Sequence, residues 1–600
     1  MAAKPPTPQA LPVDAPHPLP PLPTPSSTPP AFLPVLSLPV AFSLAHFHAG
    51  LSELVLQPEH SSSTILRADI LADKVFDAGE GGGQREGVVD LEGYRCTRRV
   101  RRRILPSRPQ FDNAMEQECL FYERSHPSSG GEDGDEQARE GLLLLLPDFE
   151  ALARDSPELS KQGKLPYYHP QVRALAFRYL PASLSSSSST SPAAAELRID
   201  LIPLPSPSSP TPAAPAPPPE LKQLNPKDRL YRTALALVTF AAKVCAGKAV
   251  GWQKRVWHDL LVGKEEVQDL YQVLKEKYKA DLVPPSPHDP RITFRWLLKE
   301  WKEGTDPEKH VFEDVAIAAW LICLWRGMYA DNEGRPPGGF VDVGCGNGLL
   351  VYLLASEGYP GYGIDLRARK SWAAYSPPPD LRVSSLHPPS LLSSLLCSPP
   401  LSPDLPSPAG ARDTDSEGCP FPKDAFLIGN HADELTPWMP LLAFATPGDR
   451  VGYLSIPCCL HELVGRFERQ SYSIPPTFLA SLPSPPAADQ QVTAEHPLLE
   501  PFYAPSPQER DSGGRYIAYQ LYLAHLSLSC GFVAEREALR IPSTKNYGMV
   551  GRRRTWEGLG EEEARQERER VRERVRELVQ AVESRGEWTA RRPEGKAGEH

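Results

Sequence analysis

The chain has 600 residues, of which 69 are proline and 40% are hydrophobic, and it carries a formal net charge of -10. That apolar content suffices for more than one core, while long Ser/Pro tracts keep part of the length out of any packing. The acidic balance excludes a protein that coats nucleic acid over its whole surface and leaves only local basic patches for that role. The ten cysteines show no C-x-x-C pair and no Cys/His ligand spacing, so neither a disulfide framework nor a zinc finger is signalled and no metal is expected.

Residues 1–30 read as a disordered Pro-rich tail that anchors nothing. The N-terminus lacks a secretory pattern, and the apolar stretch Ala31–His46 is broken by Pro34 and Pro39 and is too short to cross a bilayer. A cytoplasmic protein with no membrane attachment is expected. Residues 31–202 form an N-terminal accessory region in which Glu196–Ile202 alternates like a half-buried strand. The Ser185–Ser189 run and residues 203–220 read as linkers. The basic stretch Arg98, Arg99, Arg101, Arg102 and Arg103 is a candidate holder of RNA phosphates or a solvated surface run.

Residues 221–330 are a helical lead-in. Tyr231, Ala234, Leu235 and Val238 share one face, and Asp306 with Pro307 supplies an N-cap and N1 for a later helix. Residues 331–556 then alternate strand and helix, which predicts a parallel-rich sheet covered on both faces, with ligands at the carboxyl ends of its strands. Two low-complexity insertions, 377–420 and 474–512, read as disordered surface loops. Residues 557–600 form a charged helical tail whose stripe Val571, Val575, Leu578, Val579 and Val582 reads more readily as a solvated helix than as a docking element.

The chemistry centres on Asp342-Val-Gly-Cys-Gly-Asn-Gly348, a strand, a glycine turn and a helix start. Gly344, Gly346 and Gly348 let the backbone come close to a ligand, and the helix-start N–H groups face the same space. This spacing resembles the first motif of S-adenosylmethionine (SAM) methyltransferases. Asp365 closes the next strand about 20 residues on, where ribose hydroxyls are usually held. Asp342, Gly344, Gly346, Asn347, Gly348 and Asp365 are the candidate cofactor residues. The loop after strand 425–429 supplies Asn430, His431, Asp433 and Glu434 as candidate catalytic groups that orient a substrate or accept its proton. Cys458 and Cys459 end the following strand and read as packing. Lys545, Arg552, Arg553 and Arg554 are the candidate RNA contacts.

Longer strings narrow the reading. Thr305-Asp-Pro307, Lys309–Asp314, Phe340–Leu349, Gly363-Ile-Asp365, Gly429–Pro437, Pro457-Cys-Cys459 and Arg540–Asn546 closely resemble the eukaryotic tRNA (uracil-2'-O-)-methyltransferases. The resemblance implies a Rossmann-like class I SAM-dependent methyltransferase sheet with a helical N-terminal extension and SAM as cofactor. It also implies tRNA as partner, with 2'-O-methylation of uridine 44 in serine tRNA. Two other readings share the cofactor half of the fold: methylation of a protein or small molecule, and an inactive scaffold.

Overall fold

The computed structural model describes residues 7–23, 29–76, 86–109, 111–125, 139–182, 184, 194–204, 224–252, 258–279, 307–397, 419–483, 496–499, 502, 514–586 and 588. The chain divides into two compact units, Met1–Gln253 and Lys254–His600.

The first unit is an antiparallel sheet of eight strands: β1 (Gln9–Ala10), β2 (Leu33–Val40), β3 (Ile65–Val75), β4 (Arg95–Pro106), β5 (Met115–Ser125), β6 (Arg139–Pro147), β7 (Val172–Leu180) and β8 (Ala195–Pro203). Their order is β1-β2-β8-β7-β6-β5-β4-β3. The helices Leu44–Leu56 and Arg229–Ala249 share its main core, burying Phe47, Leu51, Ala234, Val238, Ala241 and Cys245. The predicted lead-in therefore divides, its first helix belonging to this unit. Arg229–Ala249 is long and apolar enough to cross a membrane by length and composition, but its apolar stripe lies on the sheet.

Two expectations fail here. Residues 7–23 are not a disordered tail: Leu19 and Leu22 are buried, Leu11 N–H donates to the Val35 carbonyl at 3.0 Å, and the buried Arg178 and Arg198 donate to the carbonyls of His17 (2.7 Å) and Pro16 (2.6 Å). A proline has no N–H to satisfy, so a Pro-rich segment docks once its carbonyls find donors. The basic stretch is likewise not a free cationic face. It lies on β4, where Arg99 pairs with Glu118 at 2.7 Å, Arg101 with Glu116 at 2.7 Å, Arg98 with Asp73 at 2.6 Å and Arg103 with Asp155 at 3.4 Å. Arg102 is buried against Gln117 and the Val55 carbonyl. Acids on the flanking strands and the loop helix after β6 neutralise the run.

The second unit is a sheet of β9 (Phe340–Val343), β10 (Gly361–Asp365), β11 (Leu381–Val383), β12 (Phe426–Asn430), β13 (Gly452–Ile456), β14 (Glu535–Ala538) and β15 (Tyr547–Gly551), in the order β11-β10-β9-β12-β13-β15-β14. The first five in that order are parallel, and β15 runs antiparallel to both β13 and β14. Side-chain alternation splits the apolar residues between two layers. Val341, Val343, Leu427 and Tyr453 face helices Met439–Ala445, Arg515–Ser529 and Glu561–Glu583. Phe340, Phe426, Ile428 and Leu454 face helices Lys264–Lys279, Pro307–Met328 and Leu349–Ser356. Trp325 anchors the latter layer, with ring centroids 5.9 Å from Phe340 and 5.4 Å from Phe426. Truncating it to alanine would cost about 3–5 kcal/mol.

The insertions are partly built into this unit. β11 is an edge strand, helix Pro388–Cys397 buries Leu392 and Leu396, and in the second insertion Leu482, Leu498, Leu499 and Phe502 join the core. The tail helix Glu561–Glu583 is a docked element, with Val571, Val575, Val579 and Val582 buried on the core. The solvated reading fails because that stripe is wide enough to cover apolar surface left open on the sheet layer. The Asp306 cap, the run Ser185–Ser189, most of 203–220 and the centres of both insertions lie outside the described residues.

Candidate active site

Strand order reverses between β10 and β12 on either side of β9, which opens a crevice at the carboxyl ends of the strands. The glycine turn leaves β9 there. Gly344 and Gly346 hold φ of 78° and 53°, a region disfavoured for side-chain-bearing residues. A Cβ on Gly346 would meet nothing within 4 Å, so this stretch of backbone borders open space. The Gly346 N–H donates to Asp365 Oδ2 at 2.9 Å and the Arg367 N–H to Oδ1 at 3.2 Å, fixing the carboxylate beside the turn. Carbonyls of the turn are tied back by Trp372, Ser371 and Tyr375 at 2.8–2.9 Å. The Asn347 side chain accepts from the Leu349 N–H at 2.8 Å, so it shapes the turn. A cleft opens here, lined by Val343, Gly344, Asp365, Leu366, Ser384, Glu434, Leu435 and Trp588. Trp588 reaches it from beyond the tail helix, its ring 5.3 Å from His387 and its carbonyl bonded to that imidazole at 2.9 Å.

The loop after β12 forms the other wall. His431 and Asp433 hold φ of 52° and 43°, conformations that cost free energy in non-glycine residues and cluster at functional sites. Asn430 donates to Asp314 Oδ1 at 3.2 Å, and His431 Nε2 lies 3.3 Å from Glu313 Oε1. Both acids come from helix Pro307–Met328 and are buried. Burial and the neighbouring Glu313 push the Asp314 carboxyl up to about 7. Asp342 is held well above the carboxylate range by burial and by Asp314 and Asp365, and its Oδ1 is buried with no hydrogen-bond partner among the described residues. At the end of β13, Cys458 Sγ lies 3.4 Å from Asp433 Oδ1.

Comparison with known proteins agrees with this geometry. Residues 10–255 match the family described as TRM44-like, N-terminal bet v1-like domain, and residues 261–387 match the one described as Predicted AdoMet-dependent methyltransferase. The tRNA (uracil-O(2)-)-methyltransferase of Neurospora crassa is 33% identical over 541 residues, spanning 88% of this chain and 87% of its own. The Schizosaccharomyces pombe protein of the same name is 33% identical over 521 residues, spanning 86% and 84%. That of Yarrowia lipolytica is 30% identical over 580 residues, spanning 88% and 92%.

The chain belongs to the tRNA (uracil-O(2)-)-methyltransferase family.

The family's bet v1-like match covers the first unit and starts inside the segment expected to be disordered. SAM fits the crevice: the open space at Gly346 admits a ligand against bare backbone, Asp365 is fixed at its side, and apolar Leu366 and Leu386 line the same cleft.

Of the predicted site residues, Gly344, Asp365 and Glu434 converge on the cleft, with Gly346, Asn347 and Gly348 forming its turn, Asn430, His431 and Asp433 beside it, and Asp342 buried behind. The predicted RNA contacts do not stay together. Because β15 is antiparallel, its start lies at the carboxyl edge, where Lys545 donates to the Cys458 carbonyl, whereas Arg552, Arg553 and Arg554 follow Gly551 at the opposite edge. Arg552 and Arg553 pair with Glu535 at 2.8 and 2.9 Å, and Arg554 is buried between the rings of Phe532 and Trp556. Glu313 and Asp314 escaped the sequence reading as site residues. Their signal was two adjacent acids inside the apolar run Val311–Leu324.

Proposed function

We propose that the chain transfers the methyl group of SAM to a ribose 2'-hydroxyl of uridine in tRNA, and that the target is uridine 44 of serine tRNA. The observation that carries this is the shared cleft: the glycine turn and Asp365 on one wall, and Glu434 beside Asn430, His431 and Asp433 on the other. The relatives' names support tRNA as the substrate and a uracil nucleotide as its target, and the resemblance of the motif strings supports the ribose 2'-hydroxyl and serine tRNA. We also read the sheet as the Rossmann-like sheet of class I methyltransferases, supported by five parallel strands, the reversal at β9 and the antiparallel β15.

SAM, when bound, supplies an electrophilic methyl group. A ribose hydroxyl is a weak nucleophile until its proton has an acceptor and its oxygen is aligned. In this reading Glu434, which lines the cleft, takes that proton, and Asp433 next to it holds the loop through its contact with Cys458. Asn430 and His431, steadied by Asp314 and Glu313, orient the sugar. Asp365 holds the ribose hydroxyls of the cofactor, and Lys545 meets a tRNA phosphate at the same edge.

The test is nucleoside mass spectrometry of tRNA incubated with the protein and labelled SAM, with fragment mapping of serine tRNA. Labelled 2'-O-methyluridine at position 44 is the expected product. Label at another uridine would remove the positional assignment, and no label in any RNA from protein that binds SAM would remove the function.

A further inference from the structure

We propose that Asp433, Cys458 and Cys459 form a binding site for a soft divalent cation, with zinc as the fitting ion, joining the loops that follow β12 and β13. A carboxylate oxygen of Asp433 and the two thiol sulfurs lie within 4.8 Å of one another. Around tetrahedral zinc, sulfur sits at ~2.3 Å and oxygen at ~2.0–2.2 Å, which places neighbouring ligand atoms roughly 3.5–3.8 Å apart. The Cys458 Sγ to Asp433 Oδ1 separation of 3.4 Å is already close to that spacing.

Adjacent cysteines on an extended strand point to opposite faces, which is why the pair by itself makes a poor site. β13 ends at Ile456, and the chain beyond it is no longer a strand, so both sulfurs approach the same carboxylate. The third ligand comes from a different loop 25 positions earlier, beyond the reach of any local spacing rule. All three side chains are half-buried.

Ligand chemistry selects the ion. Two sulfurs and one carboxylate favour zinc over magnesium or calcium, which take all-oxygen shells. On binding, both thiol protons leave to solvent as the two sulfur–metal bonds form, and no electron is transferred. Two thiolates, a carboxylate and a dication sum to one net negative charge, and the Lys545 ammonium, bonded to the Cys458 carbonyl, lies beside it. The ion would clamp Asp433, and through it neighbouring Glu434, against the end of β13. This inference rests on three side chains and stands apart from the identity of the methyl acceptor.

The experiment uses the full chain. Elemental analysis of protein purified with zinc in the medium is expected to give about one equivalent of zinc. After chelator treatment, cobalt(II) titration is expected to give the ultraviolet thiolate-to-cobalt charge-transfer band and the visible bands of a tetrahedral ion. Cys458→Ser and Cys459→Ser each weaken cobalt binding at least ten-fold, and Cys419→Ser, on another loop, leaves it unchanged. Far-ultraviolet circular dichroism and SAM calorimetry report folding of each variant independently. Folded wild-type protein that retains no zinc and shows no charge-transfer band overturns the proposal. Retention of full cobalt affinity in both cysteine variants does the same.

Discussion

Asn430 Nδ2 donates to Asp314 Oδ1 across 3.2 Å, so the loop after β12 is hung from a helix that sequence places more than a hundred residues away. Asp314 is buried and its carboxyl is raised from 3.8 to about 7. An acid raised on folding keeps its proton longer in the native chain than in the unfolded one. Its contribution to stability is therefore complete below about pH 4 and is lost as the pH rises to about 7. That loss is on the order of 4 kcal/mol. Asp314→Asn keeps an acceptor for Asn430 and removes the titration. Urea midpoints are expected to match wild type near pH 4 and to exceed it at pH 8. Parallel pH profiles for the two proteins would refute the assignment.

Asp365 holds two backbone N–H groups at the edge of the cleft. Charge-assisted hydrogen bonds contribute roughly 1.5–3 kcal/mol each, so losing even one to the cofactor weakens binding by about ten-fold or more. Calorimetry of Asp365→Ala with SAM checks this. Undiminished affinity would remove the residue from the cofactor site.

Glu434 lines the cleft and Asp433 adjoins it. Removing a general base costs about 10²–10⁴ in rate. Glu434→Gln is expected to lose activity on that scale while binding SAM normally. Asp433→Asn, assayed beside it, is expected to lose less, because its carboxylate faces Cys458 Sγ at 3.4 Å and not the cleft. Full turnover in both would place the base elsewhere.

Arg554 and Lys545 should behave oppositely. The Arg554 guanidinium lies 3.8 Å from the Phe532 ring and 5.3 Å from that of Trp556, and burial lowers its value to about 10. Arg554→Ala is expected to cost about 2–4 kcal/mol of stability in chemical denaturation, with tRNA affinity unchanged. Lys545→Ala should leave the denaturation midpoint in place and weaken tRNA binding in a filter assay. Loss of tRNA affinity in a folded Arg554 variant would restore the RNA role that its burial argues against.

The parallel strands and the glycine turn were legible because their signals are local: apolar runs, a fixed glycine spacing, and a carboxylate at the next strand's end. Residues 7–23 were misread because composition records the prolines and not the buried Arg178 and Arg198 that receive their carbonyls. The arginine run on β4 was misread for a related reason. Its countercharges, Glu116 and Glu118 on β5 and Asp73 on β3, become neighbours only through sheet register. That Lys545 and Arg552–Arg554 lie at opposite edges of the sheet was not legible, because a strand's direction is invisible until its partners are known. Glu313 and Asp314 were present in the motif strings, but their role depends on a helix packing across β9 and β12.

Trp588 closes one side of the cleft from a point far along the chain from the glycine turn. During synthesis the turn and both carboxylate-bearing loops emerge long before that indole does. The nascent chain therefore carries the floor of the cleft before the indole that completes its rim has been made. A fusion or protease cut just ahead of it would hold the enzyme in the same open-sided condition.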